Sequence, residues 1–175
     1  MNLRYSLFLI IPVLFIYSCS STDSVVENTS SGLYPSWYSS NGFQSDSTIF
    51  SGFGSAIASD SSLAIQRASD ESKKNLDLAI GNMAEDVRAQ LVSDGVSSAG
   101  NTDFILILRN AHADAVNQSD MIEYSTLKEG DIYRSFVQVG ITKTELLNQL
   151  ETGFNGHPRY WATFSDNSAF KTLFQ

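Results

Sequence analysis

The chain has 175 residues, which is enough for one ordinary domain and too few for two of usual size. Since 42% of its residues are hydrophobic and 17% are charged, most of it is expected to fold. Its 19 acidic residues exceed its 11 basic ones, giving a net charge of -8. This balance argues against nucleic acid as a partner and against electrostatic adsorption to anionic lipids, because both depend on Lys and Arg.

Residues 1–18 have the features of a secretory signal peptide. Arg4 and the amino terminus supply a positive end, and an apolar segment follows at residues 5–17. This segment is shorter than the roughly 20 residues that a membrane-spanning helix needs, and Pro12 inside it weakens a helix further. A short apolar segment between a positive end and small residues is typical of a leader that is cleaved.

The end of this leader reads Ile16-Tyr17-Ser18-Cys19, which resembles the bacterial lipobox, where a small residue precedes an obligatory cysteine. A thiolate can accept a diacylglyceryl group, so we expect Cys19 to be lipidated. Two or more acyl chains, such as palmitate, are needed for stable anchoring, because one chain binds weakly. The alternatives are a plain signal peptide beside an incidental cysteine, or a thiol left for a disulfide, although the chain has no second cysteine for one.

The residues after the cysteine indicate a destination and a tether. Ser20 stands where inner-membrane lipoproteins of enteric bacteria usually carry Asp, so we expect an outer-membrane protein that faces the periplasm or the cell surface. Residues 20–32 are rich in Ser and Thr and lack apolar periodicity. Residues 19–32 are therefore interpreted as a lipidated cysteine and a flexible tether, whose reach is a few tens of ångströms at most.

The folded domain is expected over residues 33–152 and opens on two aromatic segments. Residues 33–38 place three aromatic side chains around a proline, which indicates an extended segment covering the edge of the core or a docking patch near a membrane surface. Residues 48–58 predict a strand, in which Gly52 and Gly54 permit a bulge or a close backbone approach. These glycines lack the further residues of a nucleotide loop, and no cofactor is expected.

Two helices follow in the predicted order. Apolar residues recur at helical spacing over residues 61–92, with Asp60 or Ser61 as the N-cap and Gly95 as the stop. Gly81 lies in the middle of this long helix, where it costs about 1 kcal/mol relative to Ala, so a close contact is expected there. A second helical pattern covers residues 103–118.

The apolar period then changes from that of a helix to that of a strand. Residues 121–127 and 132–141 alternate around a glycine-containing turn, which predicts a β-hairpin. Thr142 with Glu145 forms the pattern of a capping box and opens a short helix. The predicted class is therefore α+β, with a small antiparallel sheet of one strand and a hairpin packed by a long helix and shorter helices.

Residues 153–175 are interpreted as an aromatic C-terminal tail. Residues 157–161 predict a loop with an aromatic end, and the last residues form either a short terminal helix or a partner-binding tail. Exposed aromatics at both ends of the mature chain suggest contacts with a partner. The candidate contact residues are Trp37, Tyr38, Tyr160 and Trp161.

The histidines do not indicate catalysis or a metal site. His112 is beside Asp114 on the second helix, and we interpret it as a solvated or hydrogen-bonded side chain, because a catalytic histidine needs a nucleophile and an orienting acid. The chain has two histidines, and its one cysteine is expected to carry lipid. Too few nitrogen and sulfur ligands therefore remain for a structural metal cluster. No catalytic residue and no metal are expected.

Several short motifs resemble a family of small bacterial outer-membrane lipoproteins typified by the 20-kDa Helicobacter lipoprotein. The family is itself similar to flagellar-assembly lipoproteins and to the N-terminal domain of the flagellar T-ring protein. The residues that carry the resemblance, besides the lipobox, are Pro35 with Trp37, residues 52–56, Ala64, Ala68 and residues 133–137. It covers roughly residues 33–150 and implies an α+β domain on a lipid anchor without known catalytic activity.

Three functions remain in competition. The first is a lipid-anchored, non-catalytic interaction or assembly subunit of a flagellar or other envelope structure, whose partners are the membrane, envelope proteins and further copies of itself. The second is a binding module for a small apolar or envelope ligand, which predicts a cavity of a few hundred Å³ lined by Phe and Leu. The third is an enzyme such as a serine hydrolase, for which no G-x-S-x-G stretch is present.

Overall fold

The computed structural model describes residues 34–174, so the predicted signal peptide, Cys19 and the tether lie outside the described residues. The described chain is an antiparallel four-stranded sheet with one long and several shorter helices, which confirms the predicted α+β class. The strands are β1 (Phe43–Ser45), β2 (Ile49–Ala58), β3 (Asp120–Glu129) and β4 (Ile132–Thr142). The helices are α1 (Ser61–Ser93), a 3₁₀ turn (Ser97–Gly100), α2 (Thr102–Asn117), α3 (Lys143–Gly153), α4 (Pro158–Ser165) and α5 (Ser168–Leu173).

The sheet has the order β1-β2-β4-β3, so the hairpin strand β4 lies in the middle and β3 lies at an edge. Glu129 pairs with Ile132 across a two-residue turn, in which Gly130 has a φ of 64°. A positive φ at the first turn position matches the right-handed twist of a hairpin and favours glycine. The predicted hairpin is confirmed, with each strand slightly longer than the alternation alone indicated.

Helix α1 covers one face of the sheet. Its N-cap is Asp60, whose carboxylate accepts a hydrogen bond from the Leu63 N–H at 3.0 Å, and it ends before Gly95, which has a φ of 84°. The observed bounds differ from the predicted ones by one residue. Its buried stripe follows the helical period and consists of Ala64, Ala68, Ser72, Leu76, Ile80, Ala84, Val87 and Leu91.

Two glycines on β2 allow the backbone of α1 to approach the sheet. A Cβ atom at Gly52 would collide with the carbonyl oxygen of Ser72, and one at Gly54 would collide with the carbonyl oxygen of Ala68. Since both obstacles are backbone atoms, neither can move aside as a flexible side chain would. The predicted close approach at these glycines is confirmed, and it places small residues of α1 directly against β2.

The residues after β4 build the far side of the core. Thr142 caps α3 by accepting a hydrogen bond from the Glu145 N–H at 3.1 Å, as the capping pattern predicts. Residues 153–174, which the sequence suggested as a separate tail, instead pack against the domain through the buried side chains of Phe154, Phe164 and Phe170. The loop expected at residues 157–161 is the beginning of α4, because Pro158 occupies a first-turn position, where its missing N–H costs nothing.

Candidate functional site

Trp37 and Tyr38 lie on the sheet face opposite α1. Residues 35–38 form a tight turn closed by a 3.0 Å hydrogen bond from the Tyr38 N–H to the Pro35 carbonyl, so the extended conformation expected here is wrong. The ring of Tyr38 lies 4.9 Å from that of Phe136 and 6.1 Å from that of Phe53. The turn therefore covers two phenylalanines that would otherwise face solvent. Its use by a partner stays a prediction.

Tyr160 and Trp161 lie on α4, on the same side of the sheet as α1. The Tyr160 ring is 5.3 Å from the Phe104 ring of α2, and the Trp161 ring is 5.7 Å from the Phe154 ring. Both side chains are half-buried. The structure thus separates the two pairs of candidate contact residues onto opposite sides of the sheet, and they do not form one surface.

His112 lies in a surface groove between α1 and α2. Its Nε2 atom is 3.1 Å from the Oδ1 atom of Asp77, and a Cβ at Gly81 would lie 3.2 Å from the same nitrogen. The close contact expected at Gly81 is therefore confirmed: this glycine leaves room for the imidazole. The partner is not the neighbouring Asp114, and the pairing with Asp77 depends on how two helices pack, which local sequence does not show.

The groove has a volume of about 270 Å³ and mixed polar and apolar walls, with acids on α1 opposite bases on α2. Glu85 accepts a hydrogen bond from Arg88 at 2.8 Å, which is the main reason that the pKa of Glu85 lies below its ordinary value, and Arg109 lowers it further by its charge. Within residues 34–174, no serine or cysteine side chain is hydrogen-bonded to His112, and no group of three or more potential ligands is placed to hold a metal ion.

An apolar cavity lies under α5. It is lined by Phe50, Phe164, Phe170 and Phe174, among other side chains, and its volume is about 20 Å³. This space would hold roughly one water molecule, whereas sites for small organic ligands usually measure about 300–1,000 Å³. The cavity predicted by the ligand-binding hypothesis is therefore not found at this place in the core.

The outer edge of β3 is the surface that the sequence did not indicate. Among residues 34–174 the strand pairs only with β4, and its first five residues are exposed. Met121, Ile122 and Tyr124 are 44%, 49% and 48% exposed. A β-bulge interrupts the pairing between Met121 and Glu123. An edge strand leaves backbone N–H and C=O groups free along one side, so it can accept another strand.

The opposite edge of the sheet is formed by the three-residue strand β1, and α1 covers the part of β2 that β1 leaves open. Strand β1 covers β2 only as far as Gly52, and side chains of α1 bond to the backbone beyond it. The carboxylate of Glu71 accepts from the Ser55 N–H at 2.9 Å, and the Asn75 side-chain amide donates to the Phe53 carbonyl at 2.8 Å. The β3 edge, by contrast, combines large apolar side chains with a backbone that no other strand of the described domain pairs with.

Comparison with protein-family models, with curated proteins and with solved structures found no match to this chain. In the part of the chain that the structure describes, no helix is both long enough and apolar enough to cross a bilayer. Function is therefore inferred from the residues and their arrangement alone.

Proposed function

We propose that this protein is a lipid-anchored, non-catalytic interaction subunit of the bacterial outer membrane, held there through Cys19. The observation that carries this proposal is the position of the only cysteine directly after a short apolar leader and a small residue. A thioether-linked diacylglyceryl group together with an acylated amine would supply the two or more chains that stable anchoring requires. The family resemblance makes a flagellar or another envelope structure the first place to look for partners.

The described domain supports an interaction role through the β3 edge. Three large apolar side chains are exposed beside a backbone edge that pairs with no other described strand, and such edges are normally covered or protected in soluble domains. At the groove, the side chain of His112 contacts Asp77, and Glu85 accepts a hydrogen bond from Arg88 beside it, which supports a structural role for these side chains. Tyr38 and Trp161 lie on opposite sides of the sheet. Each ring contacts phenylalanines of the core, which favours a packing role for both residues.

The alternative, a binding module for a small apolar or envelope ligand, has weaker support. The apolar cavity under α5 is more than tenfold smaller than an ordinary ligand site. The larger groove at His112 has mixed polar and apolar walls and carries the charged side chains of Asp77, Glu85 and Arg109, which do not suit a wholly apolar molecule. A ligand of this kind would need the core to open around α5.

The anchoring step is tested by fractionating cells that express the native chain or Cys19→Ala. The native protein should be recovered with the outer membrane, and Cys19→Ala should lose this fractionation, because alanine has no sulfur to carry the lipid. Ser18→Ala is the matched control, since it keeps a small residue before the cysteine. Unchanged recovery of Cys19→Ala with the outer membrane would contradict the proposal.

The interaction step is tested by crosslinking in intact cells. The native chain should give specific crosslinked species that are lost or reduced in Cys19→Ala, since release from the membrane lowers the local concentration of partners. Ser18→Ala should keep them. A native chain that crosslinks to nothing under conditions that capture other envelope complexes would argue against an assembly role.

A further inference from the structure

We propose that the face of the sheet opposite α1 lies against the membrane surface to which the lipid anchor holds the chain. This outer face carries the side chains of Phe53, Ile57, Leu127, Ile132 and Phe136. The inference deepens the anchoring proposed above and rests on it, because it names the part of the domain that the anchored chain presents to lipid. A sheet that lies flat on the bilayer leaves its β3 edge accessible to envelope partners from the side.

The alternation of side chains along the strands separates the two faces of the sheet. On β2, a Cβ atom at Gly54 would point at the backbone of α1, so Phe53 and Ile57 point away from the helix. Strand β4 pairs antiparallel with both β2 and β3, and residues directly opposite each other share a face. Ile57 and Leu127 both lie opposite Arg134, which places all three side chains on the outer face.

The helices pack on the other face of the sheet. Within residues 34–174, the five α-helices share one core with Phe50, Val137 and Val139. Across the outer face lie the rings of Tyr34 and Tyr38, which are 5.6 Å and 4.9 Å from the ring of Phe136. Over these residues the outer face thus has no helical layer, and a short aromatic turn lies over its centre.

Ile57 and Ile132 form an exposed apolar surface beside this turn. Ile132 precedes Arg134 by two residues on β4 and therefore points to the outer face as well. The two isoleucines are 44% and 39% exposed. Arg134 is neutralised by Glu129, whose Oε1 atom lies 3.2 Å from its Nε atom. An apolar surface beside an internally neutral ion pair suits zwitterionic lipid better than anionic lipid.

The chain enters the domain on the outer face. Tyr34 is the first described residue, and Cys19 stands 15 positions before it. A segment of this length spans at most about 50 Å when extended and about 20 Å as a flexible chain, whereas the domain has a radius of gyration of about 14 Å. The anchor therefore holds the outer face closer to lipid than the helices. A contact of low affinity is then sufficient, because tethering raises the local concentration.

Aromatic side chains lie where the chain joins the outer face. Tyr34 is 52% exposed, and Trp37 is half-buried in the turn that follows. Tyr and Trp are enriched at membrane–water interfaces, because the ring enters the apolar boundary while the polar group stays hydrated. This junction therefore has the composition expected of a segment at the level of the lipid headgroups.

The test is fluorescence of labelled cysteine variants of the full-length lipidated chain on phosphatidylcholine vesicles. Ile57→Cys and Ile132→Cys carry an environment-sensitive label on the outer face. Leu78→Cys and Leu106→Cys carry it on α1 and α2 as matched controls, since these leucines are 52% and 51% exposed. A lipidated Cys19 has no thiol to take the label.

The two sets of positions should respond differently to lipid. Emission from positions 57 and 132 should shift to shorter wavelength relative to the same label on the unanchored Cys19→Ala chain. Lipids with brominated chains should quench it several-fold, because the labels enter the boundary of the acyl chains. Labels at positions 78 and 106 should change little.

The two tryptophans of the chain give a second measurement that leaves the exposed isoleucines in place. In Trp161→Phe the emission comes from Trp37 beside the outer face. In Trp37→Phe it comes from Trp161 on α4, whose ring lies 5.7 Å from that of Phe154. Brominated lipids should quench Trp37 several-fold more than Trp161.

Three results would overturn the inference. They are equal quenching of the two sides in either measurement, no quenching at both positions 57 and 132, and a shift to shorter wavelength there without quenching. The last result would identify a protein as the cover of this face. Each of them, obtained with a lipidated chain, contradicts the membrane contact and leaves the anchor intact. Labelling of the unsubstituted chain at Cys19 would instead contradict the anchor and, with it, the inference.

Discussion

The hydroxyl of Ser72 on α1 donates a hydrogen bond to the carbonyl of Gly52 on β2 at 2.8 Å. The same oxygen accepts from the Val139 N–H of β4 at 3.1 Å, and the side chain is fully buried. One side chain of the long helix thus bonds to both central strands, at the place where the glycines of β2 let the helix approach most closely.

Ser72→Ala should lower the free energy of unfolding by about 1–3 kcal/mol, because the buried Gly52 carbonyl and Val139 N–H each lose a hydrogen bond. Chemical denaturation followed by the fluorescence of Trp37 and Trp161 would measure the change. Ser69→Ala is the matched control, since Ser69 is a partly exposed serine of the same helix, and it should change stability by less than about 0.5 kcal/mol. Equal effects of the two substitutions would contradict the role of Ser72.

Gly54→Ala should be more damaging, with a loss of about 3 kcal/mol or more. The added methyl group would occupy the space of the Ala68 carbonyl oxygen, and relief would require α1 to move away from the sheet. Gly100→Ala is the control, because a Cβ there meets no atom within 4 Å. Denaturant titration of both variants measures the difference, and a Gly54→Ala protein of native stability would mean that the helix does not sit this close.

Tyr38→Ala distinguishes a packing role from a partner contact. If the ring covers Phe53 and Phe136, its removal should lower the free energy of unfolding by roughly 2–4 kcal/mol. This loss is no larger than is usual for a buried aromatic side chain, because Tyr38 is only half-buried. Tyr34→Ala should cost less, since Tyr34 is 52% exposed. Thermal unfolding of the two variants gives the comparison. A stable Tyr38→Ala chain that loses crosslinks in cells would instead identify Tyr38 as a partner contact.

Acid should weaken the fold through two capping carboxylates. The Thr48 and Ile49 N–H groups hold the pKa of Asp46 below its ordinary value, and the Ser62 hydroxyl and Leu63 N–H do the same for Asp60. A pKa that is lower in the folded state means that the stabilisation is complete above the unfolded value of about 3.9 and is lost as the pH falls through the folded value. Stability should therefore decline below about pH 4.

Asp60→Asn separates this titration from the cap itself. Asparagine also caps helices well, so the variant should unfold much like the native chain at pH 3 and should show a shallower decline in stability between pH 5 and pH 3. Urea titrations at several pH values would provide the comparison. An unchanged pH dependence in both Asp60→Asn and Asp46→Asn would contradict the assigned cause.

Periodic local patterns predicted much of this fold. The stripe of α1, its cap at Asp60 and the alternation around Gly130 are all readable in short windows, and the structure agrees with each within a few residues. Strand β1 has only three residues and no period to detect. The sequence of α4 predicts a loop, because a proline such as Pro158 is as common in turns as at the start of a helix.

Features that depend on the packing of distant segments were not predictable in this way. His112 meets Asp77 because α1 and α2 lie side by side, and Phe170 is buried because the chain folds back after α3. The alternation of residues 121–127 predicts a strand, but it does not predict the position of β3 at the sheet edge, because strand order depends on distant segments. The exposed β3 edge is visible only from the strand order.

The central claim is that Cys19 carries a lipid, and mass spectrometry of the mature amino terminus tests it most directly. The account predicts a chain that begins at Cys19 and carries the added mass of a diacylglyceryl group on sulfur, with or without a further acyl group on nitrogen. A mature chain that begins elsewhere, or one whose Cys19 has the mass of an unmodified residue, would contradict it.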